Sequence, residues 1–162
     1  MAFSQHTVIG GVLAAVIVIA VLAGFAVTGS PGEARRQRED AARLDAVADT
    51  ALALACYRQS EGAIPEDLSE VEAGLSKAAS GASGHSRCSA IRYRLDPVSG
   101  EPFRLKRSDG EVTHICADFA TVSMEDAEVS YVRDNSVVPD IRKPRTSPGE
   151  HCYELNLAAD LD

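Results

Sequence analysis

No aspartate, glutamate, lysine or arginine occurs before Glu33. That absence leaves Thr7 to Val27 as one apolar run, also without proline, whose backbone polar groups can all be satisfied by helical hydrogen bonds. At ~1.5 Å per residue the run reaches ~30 Å, the thickness of a bilayer's hydrocarbon core. The expectation is a short tail over 1–6 and a single transmembrane helix over 7–28. The missing basic start and the length of the run disfavour a cleaved secretory signal, whose apolar part is usually about 7 to 15 residues.

The chain is short of cations as well. Its formal charge is −8 and its pI about 5.0, which argues against nucleic acid and anionic lipid, both bound through clustered lysine and arginine. No two of its four cysteines have the CxxC spacing of a zinc or thioredoxin-like centre, and CxxCH is missing. Neither GxSxG nor HExxH occurs, so no nucleophile and base are implied. The expectation is a non-enzymatic protein with no cofactor, no metal and no small-molecule substrate.

What is present begins with Cys56, Cys88, Cys116 and Cys152. An even number of widely spaced cysteines behind an apolar entry segment reads as two disulfides in an oxidising compartment. Arg35, Arg36 and Arg38 pull the other way, since the positive-inside tendency would keep that flank cytoplasmic. Within the apolar run, Gly11 with Ala15 and Ala20 with Gly24 form small-xxx-small pairs that would admit a second helix.

Thr28 to Gly32 is rich in glycine and proline and predicts a linker over 29–34. From Glu33 to about Ser60, Ala41, Leu44, Val47, Ala51 and Leu54 recur at helical spacing, with charges elsewhere and a solvated first half. Pro65 opens a second, shorter helix marked by Leu68, Val71 and Leu75, and Ala79 to Ser86 reads as loop. The period then changes to two. Ile91, Tyr93 and Leu95 alternate with Arg92 and Arg94, and Phe103 and Leu105 with Arg104 and Lys106, predicting a strand on each side of the Asp96–Pro102 turn. Ser108-Asp109-Gly110 turns the chain into a strand from Glu111 to Phe119, and Cys152 to Leu157 is the last strand. Met124 to Glu150 reads as surface loop with one short strand at Val129 to Val132. Helix first and sheet second is the order of an α+β domain, a long helix across a small antiparallel sheet over 35–157, with a tail over 158–162.

Several segments resemble the globular domain of type IV pilins and general-secretion pseudopilins. Tyr57 followed by Gly62-Ala63-Ile64-Pro65-Glu66-Asp67-Leu68 is similar to that family's helix end and G-x-x-P-x-x-L segment. Asp96-Pro97-Val98-Ser99-Gly100-Glu101-Pro102-Phe103 resembles its D-P-x-[ST]-G-x-P-[FY] turn. Ile115-Cys116-Ala117-Asp118-Phe119 and Gly149-Glu150-His151-Cys152-Tyr153 look like its L-C-A-x-F and G-x-x-C-[FY] strands. The resemblance implies a single-pass protein of a bacterial inner membrane with a periplasmic domain, acting through other envelope proteins in a secretion or pilus-like system. An accessory subunit of an inner-membrane complex is the alternative. The family's prepilin peptidase site is missing, since Gly11 is followed by Val12-Leu13-Ala14-Ala15-Val16 without a carboxylate.

Strand parity adds a pairing. With Thr113, Ile115, Ala117 and Phe119 inward on one strand and Tyr153, Leu155 and Leu157 inward on another, Cys116 and Cys152 both point outward and can bond. Cys56 is then left for Cys88.

Arg92, Arg94, Arg104 and Lys106 share the outward face of the expected hairpin, either a docking patch for an acidic partner or headgroup or a solvated sheet face. His85 and His114 are the histidines nearest to a chemical setting, and neither has a catalytic neighbourhood. The Asp96–Glu101 turn has too few oxygen ligands for calcium, and Glu125, Asp126 and Glu128 lack the spacing of a calcium loop.

Overall fold

The computed structural model describes residues 5–28, 30–80, 88, 91–123, 136–159 and 161, with side chains for 10–21, 23–24, 30–76 and the later described positions. Three helices precede three strands: α1 Gln5–Thr28, α2 Pro31–Glu61, α3 Ser69–Ser80, β1 Arg104–Ser108, β2 Glu111–Phe119 and β3 Gly149–Glu154. The expected α+β order is present. The chain divides into two compact units, residues 1–36 and 37–162.

The first unit holds α1 and the start of α2. Among the described residues no helix is long and apolar enough to cross a membrane. This overturns the expected transmembrane helix over 7–28 and removes the single-pass anchor from the fold class. The expected linker is also shorter than its glycines and proline suggest. Pro31 lies in the first turn of α2, where its missing N–H costs nothing. Ser30 caps that turn, its Oγ accepting from Glu33 N at 3.2 Å and its carbonyl from Ala34 N at 3.1 Å.

In the second unit α2 buries a stripe that runs Asp40, Arg43, Leu44, Val47, Thr50, Ala51 and Leu54. Ala41, expected inward, is exposed. Leu44, Val47, Ala51 and Leu54 join Val71 and Leu75 of α3, Val112, Ile115, Ala117 and Phe119 of β2 and Tyr153 of β3 in one apolar core. Asp67 opens α3, its Oδ1 accepting from Ser69 N at 2.9 Å. That bond, with a second from the Ser69 side chain, holds its carboxyl below the usual aspartate value.

The sheet is an antiparallel meander in the order β1-β2-β3. Asp109 and Gly110, with φ of 53° and 84°, make the two-residue turn between β1 and β2 that the sequence predicts. Residues 91–95 differ from expectation, because they form no strand. At Arg94 the backbone is taken up by α2 instead. Thr50 Oγ1 donates to Arg94 O at 2.8 Å and accepts from Arg94 N at 3.3 Å, so a helix hydroxyl supplies what a neighbouring strand would have.

Two stretches expected at the surface are inside. Val137, Val138 and Ile141 are buried, as are Ala159 and Leu161 in the expected tail. Asn156 N donates to Val137 O and Gln59 Nε2 to Ala159 O, which fixes both stretches to the core. The expected strand at Val129 to Val132 and the carboxylates Glu125, Asp126 and Glu128 lie outside the described residues.

Candidate interaction surface

Disulfides join Cys56 to Cys88 and Cys116 to Cys152, the latter the pair that strand parity gives and the former the pair that then remains. The first ties the end of α2 to the segment before residue 91. The second crosses directly between paired positions of β2 and β3.

A buried charge network sits at the other end of α2. Asp40 Oδ1 accepts from Arg43 Nη1 at 2.9 Å and from Ala120 N at 3.0 Å. Its Oδ2 accepts from Thr121 N and Thr121 Oγ1, both at 2.7 Å. Arg43 Nε donates to Asp96 Oδ2 at 2.7 Å, while Asp96 Oδ1 accepts from Val98 N and Ser99 N. Burial pushes the Asp96 carboxyl up, but the bonds from Val98, Arg43 and Ser99 together with the guanidinium charge outweigh it and hold the group below its usual value. Helix, turn and the exit of β2 are thereby fastened together, and the Asp-Pro-x-Ser-Gly turn has a structural task. Sequence reading took Asp40 and Arg43 for a wet surface. The available signal was register, since Asp40 precedes Leu44 by four and Arg43 precedes Val47 by four.

The expected basic patch does not assemble. Arg94 turns to α2 and meets Asp49 at 2.8 Å. Arg104 reaches Asp118 at 2.9 Å and Glu150 at 2.6 Å, so β1, β2 and β3 are bridged by one guanidinium. Arg92 and Lys106 are exposed, and among the described residues no ion pair involves either. With residues 91–95 out of the sheet, Arg92 and Arg94 no longer lie opposite Arg104 and Lys106. The outer sheet face is therefore of mixed charge, with Lys106 beside His114 and Glu154 in one row and Arg104 beside the Cys116–Cys152 bridge in the next.

His114 is half-buried, with Nδ1 3.0 Å from the Thr113 hydroxyl. His85 lies outside the described residues. Arg145 falls in a stretch that the sequence reading places in a surface loop. It is buried, stacks its guanidinium 3.8 Å from the Phe119 ring centre and donates to the Tyr153 hydroxyl at 3.2 Å. Burial pushes Tyr153 up, against the lowering influence of Arg145.

On α1 the expected packing residues Gly11, Ala15, Ala20 and Gly24 are exposed, and a Cβ added at Gly11 or Gly24 would meet nothing within 4 Å. Val12, Leu13, Val16, Ile17, Val18, Ile19 and Val21 are each more than half exposed. No protein-family model, curated protein or solved structure matches this chain.

Proposed function

We propose that this chain is a non-catalytic interaction protein of the bacterial cell envelope, with a pilin- or pseudopilin-like α+β domain held outside the cytoplasm. The observation that carries the reading is α1, whose seven large apolar side chains between Val12 and Val21 are 52–65% exposed. A contiguous apolar surface of that kind is the mark of a contact site. The two disulfides support an oxidising location. The order of the Gly62–Leu68, Asp96–Phe103, Ile115–Phe119 and Gly149–Tyr153 segments supports the pilin-like likeness. A photo-reactive residue at Ile17, used in the cells that make the protein, tests the contact. Crosslinks to another envelope protein are expected, and secretion or pilus-like components would favour the pilin reading over an accessory subunit. A chain that stays uncrosslinked and monomeric, or four free thiols trapped in fresh native material, would overturn the proposal.

A further inference from the structure

The outer face of the sheet gathers three donors suited to a soft metal ion. The Sγ atoms of Cys116 and Cys152 and a carboxylate oxygen of Glu150 all lie within 4.8 Å of one another. Among the described residues no other group of three such donors is so placed. In the oxidised protein the two sulfurs are bonded to each other, so the set is closed to a metal.

The strand ladder holds these sulfurs together independently of their bond. Leu155 N donates to Thr113 O at 2.9 Å, which makes 113 and 155 a hydrogen-bonded pair. Such pairs alternate along antiparallel strands, so Cys116 and Cys152 form a non-hydrogen-bonded pair, the kind with the closer Cα atoms. Theirs are 4.0 Å apart. Pairing runs from His114 with Glu154 to Phe119 with Gly149, so the register rests on a ladder that extends on both sides of the sulfurs. Cys116 is buried, Cys152 half-buried and Glu150 exposed, so the carboxylate opens the set to solvent. Arg104 now holds Glu150 but also reaches Asp118, so it keeps a carboxylate partner when Glu150 turns away.

We propose that reduction of the Cys116–Cys152 disulfide unmasks a tetrahedral site for Zn2+ or a similar soft divalent cation, ligated by the two cysteine thiolates and Glu150, with water in the fourth position. A dithiol reductant supplies two electrons and two protons as its own disulfide forms and the Cys116–Cys152 bond breaks, leaving two thiols. Metal binding then releases both thiol protons, because the thiolate is the ligand. The site thus couples metal occupancy to redox state. It rests on the sheet alone, so it stands or falls apart from the envelope function.

Cobalt(II) titration of the full chain tests it, after anaerobic reduction with a water-soluble phosphine, which ends as phosphine oxide with oxygen from water. The expected result is sulfur-to-cobalt charge-transfer absorption that saturates at one metal per chain, is displaced by Zn2+ and is absent from unreduced protein. Glu150→Gln should weaken binding by roughly tenfold or more, and Cys152→Ser should abolish the thiolate spectrum. The double variant Cys56→Ser/Cys88→Ser should keep it. If that variant does not fold, the Glu150→Gln and Cys152→Ser comparisons in the otherwise native chain still decide. No thiolate band in reduced protein that retains its circular dichroism, an undiminished band in Cys152→Ser, or an unchanged cobalt affinity in Glu150→Gln overturns the proposal.

Discussion

Arg43 on α2 and Asp96 in the turn before β1 are 53 residues apart in sequence and 2.7 Å apart in space, Nε to Oδ2. Both are buried, and Asp40 shares the same guanidinium. A charged group in this position is stabilising only while all its partners remain, because an ion left alone in the interior keeps its desolvation cost.

Arg43→Met should therefore destabilise the domain by about 3–5 kcal/mol, although methionine fills much of the same space. The loss leaves two carboxylates buried without their counter-ion. Urea unfolding followed by circular dichroism measures it as a lower midpoint at unchanged slope. A midpoint within error of the native chain would mean that the network is energetically idle.

Acid should weaken the same contact. The Asp96 carboxyl is held below its ordinary value of 3.8 in the folded state, so the unfolded chain takes up protons first as pH falls. Its contribution is complete above the unfolded value and is lost as pH drops below 3.8 through the lower folded value. Asp96→Asn should be less stable than the native chain at neutral pH, and the gap should close under strongly acidic conditions. A gap independent of pH would assign the effect to shape instead of charge.

Asp45 should behave in the opposite sense. Burial, with the like charge of Asp49 adding to it and Arg94 opposing, raises its carboxyl above the ordinary value. Ionisation then favours the unfolded chain, so stability falls as pH rises from the unfolded value through the higher folded one. Asp45→Asn should raise the unfolding midpoint at neutral pH and leave it unchanged well below the ordinary carboxylate range. Thermal melts across that interval give the answer.

Gly74 of α3 lies against the Tyr57 ring. A Cβ there would stand 2.8 Å from Cδ2 and closer still to Cε2. In an open helix Gly→Ala gains up to about 1 kcal/mol of helix propensity. Here overpacking against a buried ring beside the Cys56–Cys88 bridge should win, with Gly74→Ala destabilising by about 1–3 kcal/mol. In a Tyr57→Leu background the same change should become neutral or stabilising. An additive double-mutant cycle would contradict the contact.

Local elements were legible because their signals are local. The Asp109-Gly110 turn, the course of β2, the helical spacing of α2 and the outward parity of Cys116 and Cys152 each follow from residues within a few positions of one another. Residues 91–95 misled because alternation marks an extended chain without naming its hydrogen-bond partner, and that partner is Thr50 on a helix. The patch of Arg92, Arg94, Arg104 and Lys106 failed for the same reason, since it assumed two strands side by side. Asp40, Arg43 and Arg145 were assigned to the surface because charge usually is.

The amino-acid order alone settled backbone periodicity, turn chemistry and which side of β2 and β3 each cysteine occupies, since dihedral preferences and side-chain alternation act over a few residues. Tertiary structure decided which charges go inside, how Arg94 and Arg104 are neutralised, and that Val137, Val138, Ile141, Ala159 and Leu161 complete the core. Those outcomes depend on partners tens of residues away, where burying an ion is tolerable only once every hydrogen bond it needs has been brought to it.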